Sequence, residues 1–240
     1  MRNFLTAMDM CLHTFTAIPL PRGRWEESCK RLATELLPLV GLILGAIWWG
    51  VAALARFLPP YLAGAAVAAA PFLLTGFIHL DGFMDASDAL LSWRGREEKL
   101  RILKDSRVGA FAVISVCLLM LFQFAAAMSV GSRFALLLIP MLSRTGSAVC
   151  VCLIPPLETS QYAAEKRAVP KIALLCGGAA LLALIVFAGW RGLIVGAAVL
   201  AGYAAAMRSC VRALGGVSGD LAGFSMTIAE LCGLIALAVV

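Results

Sequence analysis

The chain has 240 residues, of which 62% are hydrophobic and 14% charged, with a formal net charge of +6. A mean hydropathy of +0.93 exceeds what a soluble core of this size can use and marks an integral membrane protein, so the positive excess reads as membrane topology, with no nucleic-acid partner expected. The eight cysteines are scattered, none forms a CxxC pair, and most sit in apolar runs as small hydrophobes, which speaks against a zinc or disulfide framework.

Residues Asn3 to Ile18 are only moderately apolar and end at Pro19 and Pro21, which predicts an interfacial or packed helix. Asp9 and His13 stand four apart on one face of it, placed to hydrogen-bond each other or to reach a metal site. No basic leader, apolar core and cleavage site occur in the order of a signal peptide. Arg22, Arg24, Lys30 and Arg31 then make a basic linker.

Beyond the linker, apolar stretches of roughly the 20 residues that cross about 30 Å of hydrocarbon as a helix run over Ala33 to Phe57, Tyr61 to His79, Gly109 to Val130 and Phe134 to Ile154. Three more cover Ile172 to Trp190, Gly192 to Met207 and Leu221 to Val240. The expected architecture is all-α, a polytopic integral membrane helical bundle forming one domain over residues 1–240. It has about seven transmembrane helices plus the N-terminal interfacial helix. The GxxxG pair Gly41 and Gly45 predicts close helix packing.

Alternate connections differ in charge: fifteen Lys and Arg fall on one side and only Arg56, Arg133 and Arg191 on the other. The positive-inside rule makes the rich side cytoplasmic. Arg144 and Glu230 lie within predicted spans, where a charge costs about 2.5 to 3.5 kcal/mol even on the lenient insertion scale. Both must face the bundle or a wet cavity. Arg144 either pairs with Glu230 or a helix-end carbonyl, or binds a substrate phosphate or carboxamide.

The polar island of the chain is Thr75 to Gly109, on the rich side. If Asp81 to Asp88 is helical, Asp81, Asp85 and Asp88 share a face at i, i+4 and i+7. Unpaired carboxylates roughly 6 Å apart repel by about 1 to 3 kcal/mol per pair, which a divalent cation would remove. Oxygen-only ligands suit Mg²⁺ held jointly with substrate phosphates, although a solvated acidic helix start has the same spacing. Six basic residues follow: Arg94, Arg96, Lys99, Arg101, Lys104 and Arg107. A carboxylate face beside a cationic face is what phosphoryl transfer requires. The turn GGVSGD, Gly215 to Asp220, precedes the last span, so its amides and the helix start suit an anion while Asp220 caps the helix or binds metal. Walker A, GxGxxG and GxSxG patterns are absent.

HLDGFMDASDAL followed by RILKDSRVGAF resembles the signature of the cobalamin synthase family, the adenosylcobinamide-GDP ribazoletransferases. FTAIPLP from Phe15, LPLVGLILG from Leu37 and GGVSGDLAG from Gly215 are similar to further segments of that family, in the same order. Ala17, Phe77 and Ala89 depart from its pattern, as do Met226 and Thr227 where Asn-Glu is expected. The resemblance implies attack of the ribazole hydroxyl on the cobinamide-bearing phosphate of adenosylcobinamide-GDP, with GMP leaving. The expected partners are adenosylcobinamide-GDP, α-ribazole or its 5'-phosphate, and membrane lipid, with homo-oligomers left open. On that reading Asp81, Asp85, Asp88 and Asp220 hold Mg²⁺, and Lys104 and Arg107, three apart on a helix, neutralise the leaving phosphate. Arg94, Arg96, Asp105, Ser106, Arg144, Gly219 and Asp220 contact substrate, with Asp105 also orienting Arg107. His79 lies about 160° from Asp81 on a continuous helix, so it serves as general base only if the backbone unwinds near Gly82; otherwise a carboxylate takes the role. The remaining readings are a CDP-alcohol phosphotransferase of phospholipid synthesis and, in another class, a small cation transporter.

Overall fold

Inside a bilayer the backbone has no water to bond to, so lipid-facing segments must close their hydrogen bonds internally. The computed structural model describes residues 2–21, 23, 25–130, 134–158, 160 and 168–240, and these hold helices and no strand. In chain order they are α1 Arg2–Phe15, a 3₁₀ turn Glu27–Cys29, α2 Lys30–Ala55, α3 Pro60–Leu74, α4 Ile78–Leu91, α5 Arg96–Ile102, α6 Ala110–Ser129, α7 Phe134–Leu153, α8 Lys171–Leu214 and α9 Gly219–Val239.

Among the described residues five helices are long and apolar enough to cross a membrane: α2 with its leading turn, α6, α7, α8 and α9. The 44 residues of α8 are interrupted at Gly189, whose backbone (φ 60, ψ −140) is non-helical. A Cβ on Gly192 would strike the carbonyl of Leu184, and one on Gly196 would meet the Leu181 side chain. In a straight helix Leu181 and Gly196 would be about 22 Å apart, so α8 is a hairpin. It supplies the two expected crossings, Ile172 to Trp190 and Gly192 to Met207, from one helical element.

The expected span Tyr61 to His79 is corrected. α3 stops at Leu74, Gly76 (φ 59) and Phe77 (φ 65) turn the chain, and α4 leaves at 89° to α3. Only glycine takes positive φ without cost, so Phe77 is held there by its surroundings. His79 therefore begins a new helix that runs across the bundle.

The centre is α7, which packs on α2, α8 and α9. Gly41 and Gly45 let α2 approach until a Cβ at either would run into the carbonyls of Pro140 or Leu137, as the GxxxG pair predicts. Trp48 is fully buried and its indole donates to the Val67 carbonyl at 2.7 Å, tying α2 to α3. Arg144 faces inward: its Nη1 donates to Glu230 Oε1 at 2.6 Å, and the Ser143 hydroxyl donates to the same oxygen at 2.7 Å. Burial in hydrocarbon leaves an arginine few choices but such pairing.

The connections sort into two ends. Arg56 shares a surface hollow with Ala127 and Val130, and Arg191 shares one with Ser129 and Val240. The loops of α4, α5 and α6 and the 155–157 and 215–218 segments gather at the other end through the contacts described below. Arg22, Arg24, Arg133, Lys166 and Arg167 of the charge count lie outside the described residues.

Candidate active site

The site is built on α4, where it crosses the start of α9. A Cβ on Gly82 would lie 2.8 Å from the Asp220 backbone, and one on Gly223 would lie 3.3 Å from the Cα of His79. The two glycines let the helices touch. α4 stays helical through Gly82, so the expected unwinding there does not occur.

The three α4 carboxylates lie on one face with graded exposure: Asp81 is exposed, Asp85 half-buried and Asp88 buried. The charges of Asp81, Asp220 and Asp88 all act on Asp85, so the crossing brings the fourth acid to the first three. Among the described residues no three His, Cys, Asp or Glu side chains come together as a group that could hold a metal ion by themselves. The cluster is open.

Asp88 has a further task that sequence reasoning missed. Its two oxygens accept the backbone amides of Gly109 at 2.6 Å and Ala112 at 2.9 Å, capping the N-terminus of α6 from another helix. A Cβ on Gly109 would stand 2.6 Å from that carboxylate. The signal was present: α6 starts after Val108 and Gly109 with no Ser, Thr, Asn or Asp beside it to cap its free amides.

Within the basic loop the side chains divide by use. Arg96 Nε donates to the Leu214 carbonyl at 2.9 Å, at the Gly215 turn (φ 89) that ends α8, and Lys99 Nζ donates to the Leu90 carbonyl at 2.8 Å. Both close helix C-termini. α5 ends at Ile102, so Lys104 and Arg107 lie on irregular chain and not on the expected helix. Arg107 Nη2 donates to Asp105 Oδ2 at 2.7 Å, and the guanidinium holds the Asp105 carboxyl down at about 2. Asp105 thus orients Arg107, as expected. Arg94, Lys104, Ser106 and Arg107 are exposed at this end.

Behind the carboxylates lies a cavity of about 350 Å³, bounded by Phe15, His79, Arg144, Ser147, Ser218 and Asp220, with Gly219 and Met226 also on its wall. His79 reaches it because α4 crosses α9: the side of α4 away from the acids faces this hollow. Its ring stacks on Phe15, with centroids 6.2 Å apart. Its carbonyl accepts from Thr227 Oγ1 at 3.3 Å, so Thr227, one of the positions departing from the family pattern, has a polar role. Asp220 borders both the cavity and the acidic cluster.

The GGVSGD turn is fixed on both sides. Val217 donates to Pro155 and accepts from Leu157, each at 2.9 Å. Ser218, not Asp220, caps α9 by accepting the Leu221 amide at 3.3 Å. That leaves the Asp220 side chain exposed. His13 stays outside the cavity lining. It contacts Asp9 Oδ1 at 3.1 Å, as the spacing predicts, and also the Asp9 and Pro21 carbonyls at 2.8 and 2.6 Å.

Residues 7–238 match the family described as cobalamin-5-phosphate synthase. A protein of Clostridium perfringens (strain SM101 / Type A) named adenosylcobinamide-GDP ribazoletransferase is 39% identical, with both chains covered in full. Proteins of the same name from Clostridium botulinum (strain Alaska E43 / Type E3) and Desulfitobacterium hafniense (strain Y51) are 35% and 34% identical; the alignments cover 98% and 94% of this chain and 97% and 94% of theirs. No solved structure matches. With nearly its whole length matched, the chain belongs to the cobalamin-5-phosphate synthase family.

Proposed function

We propose that this protein is the adenosylcobinamide-GDP ribazoletransferase of a multi-pass cytoplasmic membrane, acting on α-ribazole or its 5'-phosphate at a site that faces the cytoplasm. The sidedness rests on the basic residues gathered at the site's end. The observation that carries the reaction is the position of Asp220, which joins an open carboxylate cluster to a partly open cavity lined by polar and apolar side chains. Phosphoryl transfer needs that arrangement: a place to neutralise a diphosphate and a place to present an acceptor hydroxyl to it.

An oxygen of the acceptor bonds to the phosphorus that carries cobinamide, the bond from that phosphorus to the bridging oxygen breaks, and GMP departs with the bridging oxygen and the electron pair. The hydroxyl proton passes to His79 or to one of the carboxylates. Arg94, Lys104 and Arg107 face the charge that develops on the leaving phosphate.

The donor set fits Mg²⁺: few carboxylates, no sulfur and room for substrate oxygens. Asp81, Asp85 and Asp220 would hold it, with Asp88 adding charge from behind. When bound, the ion would supply charge neutralisation of the diphosphate. Release of GMP by the purified protein from adenosylcobinamide-GDP and α-ribazole, with and without Mg²⁺, tests the reading. Mg²⁺-dependent release coupled to cobalamin formation supports it. A folded protein that releases none overturns it.

A further inference from the structure

Two buried nitrogens on the wall of the cavity have no hydrogen-bond partner among the described residues, His79 Nε2 and Arg144 Nε. Arg144 is 2% and His79 8% exposed. A buried polar atom left unsatisfied costs about 1 to 3 kcal/mol, so two on one wall point to a ligand that completes them.

The surroundings define its chemistry. The charge of Arg144 is already matched by Glu230 through Nη1, so it does not offer the unpaired charge that phosphate recognition would use. The Asp220 carboxylate on the wall repels anions. Ser147 and Ser218 contribute hydroxyl-bearing side chains to the wall, and Phe15 stacked on His79 adds aromatic surface. At about 350 Å³ the space lies at the small end for ligand sites. It suits a nucleoside and is too small for a corrin ring. We propose that this cavity seats the acceptor nucleoside, its neutral flat base beside Phe15 and His79. Arg144 Nε donates to a ring nitrogen of the base and His79 Nε2 meets a ribose hydroxyl, while the donor's guanine nucleotide lies outside on the basic loop.

The proposal rests on the transferase reading and deepens it. A nucleoside placed here has its ribose beside Asp220, hence beside the phosphate to be attacked.

Calorimetric titration of the purified, detergent-solubilised protein with α-ribazole, without donor, tests the seat apart from turnover. His79→Phe keeps the ring wall and removes Nε2, and Arg144→Lys keeps a charge for Glu230 and removes Nε. Each is expected to weaken α-ribazole about tenfold and leave GMP affinity unchanged. Weakened GMP with unchanged α-ribazole, or no α-ribazole binding by the folded wild type, overturns the proposal. If Arg144→Lys does not fold, His79→Phe decides alone. Wild-type binding lost in the variants, in a protein that releases no GMP, sinks the transferase reading and keeps the seat; turnover with an unaltered KM for α-ribazole in His79→Phe does the reverse.

Discussion

Two groups of charged residues, joined by Asp220 and Glu230 nearly three turns apart on α9, behave as opposites. Arg144 and Glu230 are a matched pair inside the bundle, with Ser143 serving the same carboxylate oxygen. Asp81, Asp85 and Asp220 sit at the mouth with their charges uncompensated by one another. A matched buried pair is structural in its main part, and the buried Arg144 Nε, without a partner among the described residues, is left to a ligand. An unmatched cluster costs stability and is retained for what it binds. The same residue types thus mean different things according to whether their partners are already present.

The largest effect should come from Asp85→Asn. It removes the central member of the open cluster, so GMP release should fall by about 10² to 10³-fold while the melting temperature in detergent stays level or rises, since repulsion is relieved. A large loss of stability instead would put Asp85 in the matched class. Glu230→Ala should do the opposite and leave Arg144 buried and unpaired, lowering stability by about 3 to 5 kcal/mol in chemical unfolding. An unchanged unfolding midpoint would show that the pair is not what holds α7 to α9.

Asp88 stands between the classes, being part of the acidic face and also the cap of α6. Asp88→Ala should cost about 1 to 2 kcal/mol and speed amide exchange at Gly109 and Ala112. Asp88→Asn, which can accept from only one of the two amides and sets its NH2 group against the other, should recover part of the stability and little of the activity.

The smallest effect is a pH response at α1. Both ring nitrogens of His13 face carbonyl oxygens, those of Asp9 and Pro21, an arrangement that favours the protonated ring, in which both nitrogens donate. These bonds and the Asp9 carboxylate raise its pKa above the ordinary 6.5. The stabilisation is full below about pH 6.5 and is lost as pH rises through the raised value. Amides of the 16–21 segment should therefore exchange faster, beyond the intrinsic base catalysis, at alkaline than at acid pH. His13→Gln should abolish that difference, and persistence of the difference would remove His13 as its cause.

Much of this was legible in the sequence because hydrophobic runs of bilayer length have a single structural solution. The carboxylate face was legible too, since i, i+4, i+7 spacing survives any tertiary arrangement. What hid was set by contacts distant in sequence. The corner at Gly76 and Phe77 lies inside an apolar stretch that reads as continuous, and the positive φ of both residues makes it. Arg96, expected to contact substrate, and Lys99 beside it instead bond the carbonyls of Leu214 and Leu90 at the ends of α8 and α4. His79 looked misplaced because the helix was considered alone, and the crossing of α9 gives its side of α4 a cavity of its own.

The reversal at Gly189 has a practical consequence. Both ends of α8 return to the same end of the bundle, and Gly189 itself (φ 60) is best left as glycine. The neighbouring Trp190 is exposed. The tip is thus mechanically separate from the chemistry, a place where an inserted epitope or a labelled cysteine would report which side of a vesicle it occupies without disturbing the helices that carry the site.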